Sequence, residues 1–93
     1  MKIPKKLKIG GHTITVNITN NTVNNADGSW SSDDNEICIK KSLPASQKEV
    51  TLIHEILHVC NISMDEVKVE FLAQALYQAI IDNRLVFDGK DGK

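Results

Sequence analysis

Within a chain of 93 residues, the stretch Thr51-Leu52-Ile53-His54-Glu55-Ile56-Leu57-His58 sets the tightest constraint on the fold. It carries the pattern HExxH. On an α-helix, residues i and i+4 lie one above the other, so His54 and His58 share a face. Neutral imidazole nitrogen is a good zinc ligand, and two at this spacing reach one ion from a single helix. Glu55 then stands beside the open coordination position, placed as general base to take a proton from a zinc-bound water. The chain must therefore form this helix and bring a third ligand to it.

The neighbours of the motif support a helix. Val50, Ile53, Ile56, Leu57 and Cys60 recur at helical spacing and form an apolar stripe flanked by the two histidines. Ser46 with Glu49 three residues later is a capping-box pattern just past Pro44, so the helix is expected from about Ser46 to Cys60 or Asn61. A second such pattern, Ser63-Met64-Asp65-Glu66, opens a helix that runs to about Asp82 or Asn83. Its stripe comprises Val69, Leu72, Ala73, Leu76, Ala79 and Ile80.

The N-terminal half reads as strands. Lys5–Ile9 and His12–Ile18 alternate polar and apolar residues across Gly10-Gly11, the pattern of a β-hairpin. His12 falls on the polar side and is expected at the surface. Residues 19–35 are rich in Asn, Thr, Ser, Asp and Gly and read as one long loop, with Trp30 packing it down or lining a groove. Asp33, Asp34 and Glu36 fit no calcium-loop spacing and are expected to be solvated. Glu36–Lys40 alternates again as a third strand, whose free edge would suit an extended peptide. The expected class is α+β, with a small antiparallel sheet of about three strands packed on two long helices. It forms one domain over residues 1–93, with 87–93 a flexible tail.

Catalytic zinc takes three protein ligands and keeps one position open. The second helix offers Glu66 and Glu70. At about 100° per residue, Glu66 lies closer to Ala73 and Ile80, hence to the first helix, and Glu70 turns further outward. Glu66 is the favoured ligand, with Glu70 the alternative and otherwise a surface charge. Tyr77 shares that face, but eleven residues at 1.5 Å each place it about 16 Å from Glu66, too far to serve the same centre.

Composition excludes several partners. The net charge of −1 gives no electrostatic basis for binding nucleic acid or an anionic membrane. Lys2, Lys5, Lys6 and Lys8 alternate with apolar residues and read as a solvated strand face. No run approaches the roughly 18 apolar residues of a membrane span, and no apolar segment of a signal peptide follows the basic start. Cys38 and Cys60 are two cysteines without a disulfide framework, expected as reduced core residues. A cytoplasmic protein is expected.

The order Leu43-Pro44, the HExxH helix, Glu66-x-x-Val69-x-x-Leu72-Ala73-x-x-Leu76-Tyr77 and Asp82-Asn83 resembles the minimal zincin-like metallopeptidases of phages and prophages. These are similar to the ImmA/IrrE-type neutral zinc metallopeptidases. The likeness covers residues 36–83 well and the hairpin loosely. It implies a zincin-like, gluzincin-type fold and one Zn2+ held by His54, His58 and a glutamate of the next helix. It also implies Glu55 as general base for hydrolysis of a protein or peptide substrate. In larger relatives the ligand glutamate opens an ExxAxxFA-like pattern, matched from Glu66 and less well from Glu70. The short link between the helices and the lack of an added recognition domain depart from those relatives, so their substrates do not carry over. A zinc-stapled binding module that docks on a host or phage protein without turnover is the competing reading. A purely structural site has no use for Glu55.

Overall fold

The computed structural model describes residues 2–60 and 63–87. Four strands, β1 (Lys6–Ile9), β2 (His12–Thr19), β3 (Gly28–Ser31) and β4 (Glu36–Lys40), precede two helices, α1 (Ala45–Cys60) and α2 (Glu66–Asp82). The class is α+β, as expected.

The β1–β2 hairpin forms across Gly10 and Gly11, with Leu7 opposite Ile14. Both glycines have positive φ, 56° and 84°, which a two-residue turn of this type requires and other residues resist. The sheet order is β1-β2-β4-β3, which corrects two expectations. The sheet has four strands, and it is mixed, because β2 and β4 run parallel with Val16 beside Ile37. β4 is consequently interior and has no free edge; the edges are β1 and β3. The expected long loop also contains β3, paired antiparallel with β4 so that Trp30 lies opposite Ile37. Gly28-Ser29-Trp30-Ser31 holds one large apolar residue and shows no alternation, so only tertiary pairing makes it a strand.

One sheet face supplies the buried core, with Ile14, Val16, Ile37 and Ile39 packed around Leu52 of α1. Ile56, Val59, Leu43 and Trp30 close around them. The layers therefore run sheet, α1, α2. On α2 only Val69 and Ala73 are buried, both in the helix that packs beside α1. Burial of the Cys38 thiol on β4 pushes its pKa up, with Glu36 adding to the rise. Cys60, expected in the core, is exposed at the end of α1.

The helix starts differ slightly from expectation. α1 begins at Ala45, and Lys48 N–H donates to the Pro44 carbonyl at 3.0 Å. α2 is capped by Asp65 rather than Ser63, its carboxylate accepting from Lys68 N–H at 2.9 Å. Glu66 therefore takes the first helical position, where a carboxylate also suits the helix dipole. Of the expected tail, only Phe87 falls among the described residues, and it is exposed. No helix among the described residues is long and apolar enough to cross a membrane.

Candidate metal centre

Two helices and one edge strand build the site. α1 presents His54 and His58 on one face, as the HExxH spacing requires, with ring centroids 4.9 Å apart. Their Nε2 atoms are 3.2 Å from each other. Glu66 spans both rings, with Oε1 3.1 Å from His54 Nε2 and Oε2 2.7 Å from His58 Nε2. Glu70, one turn further along α2, places Oε1 2.9 Å from His54 Nδ1. Gln74 donates to Glu70 Oε2 at 2.8 Å. Chiefly that bond, together with His54, holds the Glu70 carboxyl below its usual pKa against the opposing effect of partial burial.

Proton counting shows what the cluster lacks. A neutral imidazole has one N–H, yet each nitrogen of His54 faces a carboxylate oxygen at hydrogen-bond distance. Whichever nitrogen carries no proton meets an acceptor with an acceptor. If the proton sits on Nδ1 and is donated to Glu70, the Nε2 lone pair points at His58 and Glu66. One cation between these atoms relieves all the mismatches together, whereas a second proton on His54 serves only one of the contacts.

The dimensions fit that cation. With metal–nitrogen distances of about 2.0–2.1 Å, tetrahedral ligand atoms lie about 3.3 Å apart. The observed separations of 3.2, 3.1 and 2.7 Å approach this value. One ligand atom from each of His54, His58 and Glu66 falls within 4.8 Å of the others. Glu70 stands behind His54 rather than beside the shared point. Neutral imidazoles and a carboxylate are a donor set suited to zinc.

Glu55 sits at the floor of the same cleft and is 5% exposed. Burial raises its pKa to about 7, Glu66 adding to the rise while His54 opposes it. The cleft holds about 310 Å³ and is lined by Gly28, Ser29, Trp30, His54, Glu55, His58 and Glu66. Gly28 explains the depth of Glu55. A Cβ at Gly28 would come within 2.5 Å of Thr51 Cγ2 and 3.1 Å of Glu55 Oε2, so β3 approaches α1 this closely only as glycine.

The chain matches none of the known protein families, curated proteins or solved structures with which it was compared.

Of the residues singled out by sequence, His54, His58, Glu66 and Glu55 come together in one cleft. Tyr77 does not join them; it donates to Glu49 at 2.6 Å across the α1–α2 interface. His12 is exposed, as expected. Asp34 accepts from Ser31 Oγ at 3.3 Å, closing the turn between β3 and β4. Spacing alone missed two contributors. Glu70 was expected as a surface charge if not a ligand, though its place four residues after Glu66 signals a second contact with the same histidine face. Gly28 carries no signal until β3 is placed.

Proposed function

We propose that this chain is a zinc-dependent peptidase with a minimal zincin-like fold, hydrolysing a protein or peptide substrate. The observation that carries this reading is the convergence of both Nε2 atoms and the Glu66 carboxylate beside a buried Glu55. The likeness of the HExxH helix and the Glu66 helix to ImmA/IrrE-type and phage metallopeptidases supports it. His54, His58 and Glu66 would hold the ion. When bound, zinc supplies a Lewis acid that polarises a carbonyl and acidifies water.

The remaining work falls to the chain's own side chains. Glu70 accepts the Nδ1 proton of His54 and so turns its Nε2 lone pair inward. Glu55, buried at the floor of the cleft, accepts a proton at its carboxylate and later returns one to the departing amine. The outer edge of β3 borders the cleft and offers main-chain hydrogen bonds to an extended peptide, the role expected of β4 from sequence. A zinc staple in a mere binding module gives no reason to bury a carboxylate at position 55.

Metal analysis and a peptide-library digest test this together. Reconstituted protein should hold one zinc per chain and cleave peptides, and Glu55→Gln should keep the zinc and lose cleavage. Failure to take up zinc at micromolar concentration sinks the proposal. Zinc uptake with no difference between wild type and Glu55→Gln in cleavage returns the binding module.

A further inference from the structure

The outer side of α2 carries apolar surface that the fold does not use. Val67 is 80% and Phe71 70% exposed, and Leu72, Ala75 and Ala79 are exposed as well. A helix that is apolar on both sides is normally covered on both. Of the four charged residues of α2, Glu66 and Glu70 turn to the histidines. The other two, Lys68 and Asp82, stand at opposite ends of the outer side.

We propose that this face pairs with the same face of a second copy, as an antiparallel two-fold helix dimer centred on Ala75. Three features select that occupant. Lys68, Leu72, Ala75, Ala79 and Asp82 follow alternating four- and three-residue steps, the spacing of a helix–helix seam. With Ala75 on the two-fold axis, Lys68 of each copy meets Asp82 of the other, so the only charges on the seam are complementary. The same register sets Phe71 against Ala79, large against small, and alanine at the crossing lets the helices approach closely. Among the described residues neither Lys68 nor Asp82 enters an ion pair within its own chain. At about 100° per residue the seam lies on the opposite side of α2 from Glu66 and roughly a third of a turn round from Val69 and Ala73, so pairing leaves the histidine cleft open. The proposal is independent of the peptidase reading.

Sedimentation equilibrium of the full chain tests it. Wild type should show twice the 10.3 kDa of one chain in the micromolar range. Ala75→Glu places like charges on the axis and should weaken the dimer by about 100-fold or more. Lys68→Asp and Asp82→Lys should each weaken it about tenfold, and the double variant should restore it. All three positions are exposed, and melting curves verify that each variant is folded. A wild-type monomer, a dimer indifferent to Ala75→Glu, or a double charge swap no better than the single changes would overturn the proposal.

Discussion

The two helices are tied by polar contacts at both ends of their interface, and the ends differ in kind. At one end the Tyr77 hydroxyl donates to a Glu49 carboxylate oxygen, so that contact joins a donor to an acceptor. At the other, His54, His58, Glu66 and Glu70 bring together more acceptors than neutral imidazoles have protons to give. Both ends join partly exposed groups across the same pair of helices, so position and polarity alone do not separate them. The proton count does. A matched pair closes a structure, while a surplus of lone pairs aimed at one point makes a place for a cation.

Removing a ligand should break this contrast most severely. Glu66→Gln alters the carboxylate that touches both histidines and should abolish stoichiometric zinc binding. The metal-linked gain in melting temperature should go with it, since zinc couples to folding in a core this small. Titration with a competing chelator measures the affinity, and melts with and without chelator the stability. Zinc held as tightly by Glu66→Gln as by wild type would mean that another group completes the site.

Glu55→Gln separates chemistry from metal. Cleavage should fall by about 10²- to 10⁴-fold while zinc stays bound. In the metal-free protein the same change should also alter the pH dependence of stability. The folded pKa of Glu55 is about 7, against an ordinary value of 4.5. Its stabilising share is complete below pH 4.5 and is lost as pH rises through 7, because the folded state resists the charge that the unfolded chain accepts. The span corresponds to about 3 kcal/mol. Metal-free Glu55→Gln should therefore gain up to about that much over wild type at pH 8 and little at pH 4. Denaturant melts at the two pH values check this, and equal curves would place Glu55 in contact with water rather than buried.

Glu70→Gln should have a smaller effect, weakening zinc about 10- to 100-fold, because it loosens His54 without removing a ligand. An effect larger than that of Glu66→Gln would exchange the roles of the two glutamates.

How much of this was legible in sequence depended on the range of the interaction. HExxH, the two helices and the Gly10-Gly11 hairpin are local patterns and appear in the structure, but of the expected α2 stripe only Val69 and Ala73 are buried, and α1 buries Leu52, Thr51 and Glu55 beside Val50. Glu66 was favoured by its angle on the helix, and the structure places it against both histidines. What stayed hidden is pairing between distant segments. β3 is too polar to announce itself, the parallel β2–β4 pairing has no local signature, and Gly28 acquires meaning only through Thr51 and Glu55. Cys60 fits the apolar stripe by spacing, yet it ends the helix and is exposed. Tyr77 was set aside for its distance from Glu66, but distance from one centre does not reveal a partner at the other end of the helix.

That partner gives the smallest and most discriminating change. Tyr77→Phe removes one hydroxyl and with it one hydrogen bond to the half-buried Glu49, which should destabilise the fold by about 1 kcal/mol. The hydrogen bond from Tyr77 to the Glu49 carboxylate raises the tyrosine pKa above its ordinary value of 10. Its contribution is therefore complete below pH 10 and is lost as the phenol ionises above it, so the variant and wild type should converge at strongly alkaline pH. Zinc should not alter the difference, because Glu49 stands more than one turn before His54 on α1 and Tyr77 about three turns beyond Glu66 on α2. Melts of the two proteins with and without zinc should give parallel shifts. If the substitution instead changed zinc affinity, the two ends of the interface would be coupled through α2, and the division between a closing contact and a metal centre would fail.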